Sequence, residues 1–306
     1  MTAALTLALL LPQPPGPPVG PVPRAHAHND YEHKRPLLDA LDHGFRSVEA
    51  DVWRTKDGLL VAHTPFGLKA GRTLQNLYLD PLRERVRVGG GAVYPGGPPF
   101  YLLVDVKTDA NATYAELARV LERYADILTV TRDGKTVRGA VTVVISGNCD
   151  REAVTKAAVR HAAIDGRPAD LDGSAPADLI PWVSASWASQ FAWDGTGAMP
   201  EPERVKLRAF VGKAHAKGRM VRFWASPETP AAWRELVAAD VDLINTDRLA
   251  DLRAFLRAED RPRPGTAPPV SPGRPADALH LLNIYRAGHF SCGRQGEWPE
   301  GRLLVL

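Results

Sequence analysis

A chain of 306 residues, 44% hydrophobic and 24% charged, has enough material for a full-sized core and belongs with ordinary soluble globular proteins. Its net charge of +3 is small and no block of consecutive basic residues occurs, which argues against an extended nucleic-acid surface. One large domain or two medium ones fit the length.

In chain order, residues Met1 to Leu11 are almost wholly apolar and a Pro-rich stretch runs to Pro23. A membrane-spanning helix needs ~20 apolar residues, so this run is too short. It resembles the apolar part of a signal peptide, although a basic start and a small-residue cleavage site are missing. The expectation is a leader over residues 1–22 and a secreted or cell-envelope protein, with a cytoplasmic leader as the alternative.

From residue 23 to 257, short apolar runs rich in β-branched residues alternate with amphipathic stretches, the rhythm of βα units. Strands are expected near residues 24–28, 47–53, 101–107, 141–146, 163–166, 180–184, 220–225 and 243–246. Helices are expected over residues 36–42, 113–125, 151–162, 203–217, 230–239 and 251–257, with Gly44 and Gly218 placed as left-handed caps. Eight parallel strands with helical crossovers over ~250 residues predict an α/β fold, a (β/α)8 TIM barrel. No G-x-G-x-x-G follows the first strand, so a dinucleotide fold is not expected. Residues 258–306 begin with an Arg/Pro/Gly-rich run and read as a linker and disordered extension. Cys149 and Cys292 permit one disulfide without requiring it.

The chemistry is concentrated in a few strands. In Ser47-Val48-Glu49-Ala50-Asp51-Val52-Trp53 the two carboxylates are two apart, so both face one way from an apolar strand. Neighbouring like charges repel unless a cation lies between them, which implies a hard divalent ion. Val104-Asp105-Val106-Lys107-Thr108 repeats the pattern; its Asp105 and Lys107 form either a structural ion pair or a third oxygen ligand with a point charge for a phosphate oxygen, and the parallel with Glu49 and Asp51 favours the second. Active sites assemble at the carboxyl ends of barrel strands, where both segments are expected. His26 and His28 close the first strand, and His63 follows the Asp57-Gly58 turn. A pair of imidazoles can act as base and acid near neutral pH.

These residues carry a resemblance. His26, then Glu49-x-Asp51, Asp57-Gly58 and His63, resembles the opening signature of glycerophosphodiester phosphodiesterases, within the phosphatidylinositol phospholipase C-like superfamily. Val104 to Thr108 is similar to the third metal-binding strand in its Asp form, as in the phospholipase D toxins of spider venoms. Met220 to Ala225 with Trp224 resembles the seventh strand, and Ile244-Asn245-Thr246-Asp247 the closing one. The wording His26-Ala27-His28-Asn29-Asp30-Tyr31 resembles the subgroup related to fungal altered-inheritance-of-mitochondria proteins.

The resemblance implies a metal-dependent phosphoric diester hydrolase. It places Mg2+ or Ca2+ on Glu49, Asp51 and Asp105, with one first-strand histidine, His26 ahead of His28, attacking or acting as base and His63 protonating the leaving alkoxide. His28, Asn29, Lys107, Arg222, Trp224, Asn245 and Asp247 are the expected substrate contacts. The Arg that typically follows the first His is Ala27 here, leaving its role to Lys107 or Arg222. Expected partners are a small phosphodiester or phospholipid headgroup and no nucleic acid. The chain is expected to be a monomer with peripheral membrane contact, and Trp182, Trp187, Phe191 and Trp193 are candidates to line a lipid-facing mouth. Two alternatives stand: an amidohydrolase-like enzyme using His26-x-His28, which needs more histidines on later strands, and a non-catalytic barrel binding phosphoester or lipid headgroups.

Overall fold

The computed structural model of the protein describes residues 20–260. Eight parallel strands, Val22–Ala27, Phe45–Thr55, Phe100–Val106, Val141–Gly147, Ala162–Gly166, Trp182–Ser186, Met220–Trp224 and Leu243–Thr246, pair in chain order. The first also pairs with the eighth, so the sheet closes as a TIM barrel. The leader and the C-terminal extension lie outside the described residues, as does Cys292; Cys149 carries no disulfide among those described. No helix among the described residues is long and apolar enough to cross a membrane.

Alternation along each strand divides the apolar material into two layers. Val48, Ala50, Val52, Leu102, Val104, Val143 and Ile145 point outward into the layer beneath the helices and are fully buried. Tyr101, Leu103, Val144, Ala163, Trp182 and Leu243 fill the barrel interior with Met220 packed against them. This inner plug is small, and the inward residues nearer the carboxyl ends of the strands are polar: Glu49, Asp51, Asp105, Ser146, Asp165 and Arg222. Helix Ala110–Glu122 shows how the outer layer is tied down. Asp109 accepts from the Ala112 amide at 2.8 Å as its N-cap, and Thr113, Leu117, Val120 and Leu121 bury one face. Gly44 and Gly218 follow their helices at φ +80° and +68°, the expected left-handed caps.

Three local expectations are corrected. The helix expected to reach residue 162 ends at Lys156, and Val159–Arg160 instead joins a three-stranded sheet with Val130–Arg132 and Lys135–Val137. Tertiary partners override helix propensity there: the Arg160 guanidinium donates to Thr131 Oγ1 at 3.1 Å and to the Asp178 carboxylate at 3.2 Å. His161 is therefore not helical. The sixth strand begins at Trp182, not at Ile180, because Pro181 has no donor for a ladder and the Ile180 amide bonds the Pro176 carbonyl in a turn. A helix over Asp80–Val88, preceded by a π turn at Gln75–Leu79, was not expected at all. The second strand also runs on to Thr55 and returns antiparallel through Gly58–Val61, a hairpin that delivers His63 to the barrel mouth.

Candidate active site

Register brings the carboxylates together. Asp51 lies directly opposite Asp105, and Glu49 sits two residues earlier on the same face. One oxygen from each of Glu49, Asp51 and Asp105 falls within 4.8 Å of the others, and no other group of metal-ligating side chains of this kind occurs among the described residues. Asp105 can approach because Gly147, opposite Val106, has no side chain. At φ +64° a Cβ there would collide with Asp105 Oδ1 and the Val106 backbone.

The electrostatics of this cluster are those of a site short of positive charge. Burial and the neighbouring Glu49 charge push the Asp51 carboxyl up to about 6, against the pull of Lys107 and Tyr31. Burial likewise raises Asp105. Lys107 Nζ lies 3.0 Å from Asp51 Oδ2 and 3.2 Å from Asp105 Oδ1, and its own pKa is raised: burial works against its charge, but the two carboxylates more than offset that. Glu49 is buried, which by itself would raise its pKa, but the Arg222 guanidinium 2.5 Å away holds it well below the usual carboxylate range. Asp51 Oδ1 remains buried with no hydrogen-bond partner. An all-oxygen cluster with an orphaned buried carboxylate oxygen fits a hard divalent cation such as Mg2+ or Ca2+.

The histidines divide by depth. His26, expected as the base, is fully buried; its Nδ1 lies 2.7 Å from Ser47 Oγ and its Nε2 3.5 Å from Glu49. Burial, then the charge of Arg222, lowers it to about 3, so it sits as a neutral ring beneath the carboxylates. His28, one step nearer the mouth on the same face, is part-exposed and its Nδ1 lies 2.8 Å from Asp247 Oδ1. Burial disfavours its cation, but the hydrogen bond to Asp247 and the charges of Glu49 and Asp247 outweigh it and raise its pKa. His63, with 62% of its side chain exposed, has Nδ1 3.0 Å from the Tyr31 hydroxyl and 3.6 Å from Asp51 Oδ2. The residue following the mouth-facing histidine of the first strand is thus Asn29, not Ala27.

Of the other expected contacts, Asn29, Lys107, Trp224 and Asp247 reach the mouth, whereas Arg222 and Asn245 are buried and bonded to each other at 2.9 Å beneath it. Arg222 therefore serves Glu49 rather than facing outward. Trp182, Trp187, Phe191 and Trp193 are all buried, so they do not line the mouth. A cleft of about 410 Å³ opens beside His63, lined by Asn29, Glu32, His63, Thr64 and Gly67.

Several residues were not assigned roles from the sequence. Tyr31 OH lies 2.7 Å from both Asn29 Oδ1 and Asp51 Oδ2, and so connects the first loop to the acidic cluster and to His63. Asp30 anchors that loop from below, accepting from the Leu37 amide and from Tyr78 OH. Glu228 accepts from Thr246 Oγ1 and the Asp247 amide, fixing the residue that holds His28. Tyr31 stood within the His28-Asn29-Asp30-Tyr31 run, so its signal was legible; Glu228 gave none.

Comparison with known proteins now identifies the class. A model of the AIM6-like phosphodiesterase domain matches residues 18–88, and that of the glycerophosphoryl diester phosphodiesterase family matches residues 220–250, the segments carrying the carboxylate strand and the seventh strand. Together with the closed barrel, they define a phosphodiesterase-type TIM barrel. The altered inheritance of mitochondria protein 6 homolog of Arthroderma benhamiae is 30% identical over 258 residues, covering 74% of this chain and 81% of the fungal protein. Altered inheritance of mitochondria protein 6 of Eremothecium gossypii is 30% identical over 276 residues, covering 76% and 69%. The chain belongs to the altered inheritance of mitochondria protein 6 family. Among solved structures, a glycerophosphodiester phosphodiesterase from Parabacteroides distasonis is 12% identical with a TM-score of 0.49, covering 79% of this chain and all of that one, at 100%.

Proposed function

We propose that this barrel hydrolyses a phosphodiester, a glycerophosphodiester or phospholipid headgroup, with one divalent cation, Mg2+ or Ca2+, held by Glu49, Asp51 and Asp105. The observation that carries the reading is the convergence of these three carboxylates within 4.8 Å, with Asp51 Oδ1 buried and unpartnered, beside two part-exposed histidines, His28 and His63. Such a cation, when bound, supplies Lewis-acid polarisation of a phosphoryl oxygen and offsets charge developing in the transition state.

The chain's own residues supply the proton chemistry. His28 replaces His26 in the role of base, because His26 is closed off from the mouth while Asp247 orients the His28 ring through Nδ1 and leaves Nε2 free. His63 serves as acid for the leaving alkoxide; Tyr31 and Asp51 engage its Nδ1 side, so Nε2 faces outward to deliver a proton. Lys107, bridging Asp51 and Asp105, is placed to contact a phosphate oxygen. Turnover of a chromogenic phosphodiester with and without chelator tests the reading, and a panel of natural diesters followed by phosphorus NMR identifies the substrate and any cyclic product. Full activity in chelator would overturn the metal role.

A further inference from the structure

A cleft of about 620 Å³, lined by none of the residues of the carboxylate centre, lies between the tip of the second-strand hairpin and helix Ala110–Glu122. Its charged lining is Arg54, Lys56, Arg119 and Arg123 against the single carboxylate Glu116. That carboxylate is already engaged, with Arg54 Nε 3.0 Å from its Oε2. The side chains of Lys56, Arg119 and Arg123 have no hydrogen bond or ion pair among the described residues, whereas Arg83 and Arg87 nearby are bound to Asp126 and Glu84. The Gln75 amide on the cleft wall has its Oε1 buried without a partner.

This arrangement costs stability in the free protein. Arg119 and Arg123 are four apart on one helix face, a like-charge pair that destabilises a helix by a few tenths of a kcal/mol. The final turn of a helix does attract cations, which accounts for two arginines there. It does not account for Arg54 and Lys56, which a separate element brings to the same space. Lys56, Arg119 and Arg123 are solvent-exposed cations without a protein partner, and around a volume within the ~300–1,000 Å³ range of small-molecule sites they suit a multiply charged anion. We infer that this cleft is a second binding site, distinct from the carboxylate centre, for a phosphate-bearing anion gripped by Lys56, Arg119 and Arg123. A protonated phosphate oxygen or a ligand hydroxyl satisfies Gln75.

The test uses the full chain in chelator, so that any cation-dependent binding at the mouth is silent. Pyrophosphate is titrated by calorimetry against wild type, against Arg119→Ser/Arg123→Ser, and against Arg132→Ser/Arg138→Ser, which removes the same charge from exposed positions elsewhere. Vesicles of phosphatidylcholine with and without phosphatidic acid form a parallel arm. Saturable pyrophosphate binding weakened at least tenfold in the Arg119/Arg123 variant, but unchanged in the control, supports a site for a free phosphate ester. Vesicle capture that needs phosphatidic acid and is lost in the same variant supports a lipid-borne phosphate. Absence of binding in both arms, or equal losses in the two variants, overturns the site whatever the outcome for catalysis. Turnover at the mouth should be the same in both variants.

Discussion

Asp51→Asn separates what the carboxylate does for chemistry from what it costs the fold. In the absence of a cation, the Asp51 carboxyl is raised from 3.8 to about 6 by burial and by the charge of Glu49. A folded-state pKa above the unfolded one means stability is complete below about 3.8 and is lost as pH rises through about 6. About two units at 1.36 kcal/mol each, with the pull of Lys107 already included, put the cost of the ionised group on the order of 3 kcal/mol at neutral pH. Asn keeps the shape and removes the charge, while Lys107 retains Asp105 at 3.2 Å. In chelator above pH ~7 the variant should therefore melt higher than wild type, by several degrees at about 2–4 °C per kcal/mol. Added Mg2+ or Ca2+ should raise the wild-type melting temperature, more so at pH ~7.5 than at pH ~5, and should scarcely move the variant, which should also be inactive. The assay is a thermal melt of both proteins at two pH values, with chelator and with each cation. A wild type indifferent to cations, or a variant that melts lower in chelator, would refute the account of a charge-deficient metal site.

The remaining sites give equally direct outcomes. His28→Ala should abolish turnover with little change in melting temperature, whereas His26→Ala should chiefly destabilise the barrel; the reverse pattern in a paired activity and melting measurement would return the base role to His26. His63→Ala should cost most turnover on diesters with basic alkoxide leaving groups and spare those with activated ones, and equal losses on both would leave it a positioning residue. Gly147→Ala forces a side chain into the left-handed region and against Asp105, so about 1–3 kcal/mol of stability and the cation-induced rise in melting temperature should be lost together; a variant that keeps that rise would exclude this role for Gly147. Burial raises Asp30 to about 7, so its contribution is complete below its unfolded value and falls away as pH rises through about 7. Urea melts at pH ~6 and ~8.5 should show that loss in wild type and little of it in Asp30→Asn.

What was legible in the sequence was whatever repeats with a period. Eight β-branched runs, the same-face spacing of Glu49 and Asp51, and its echo in Asp105 and Lys107 follow from alternation along a strand, so barrel and carboxylate cluster could be read before any coordinates. Lengthwise position within a strand has no such signature. His26 and His28 share a face and differ only by two residues in height, yet that step separates a ring buried against Ser47 and Glu49 from one held by Asp247 at the mouth. The register of the first strand against the second decides it: His26 is level with Ser47, so His28 stands level with Glu49. Register is set by pairing across the closed sheet, a long-range property that no window of the first strand contains. The same reason hid Arg222, whose arginine identity suggested an outward phosphate contact while its height on the seventh strand puts it beneath the mouth against Glu49. The site is therefore a vertical arrangement as much as a set of residues: a neutral, buried His26 and a saturated Arg222 below, Glu49 with His28 level beside it, then Asp51 opposite Asp105, and the exposed His63 at the rim. Each lower layer fixes the one above, Arg222 by keeping Glu49 ionised and Tyr31 by joining Asp51 to His63. Substitutions below the mouth should accordingly act on chemistry through the carboxylates, without any contact with substrate.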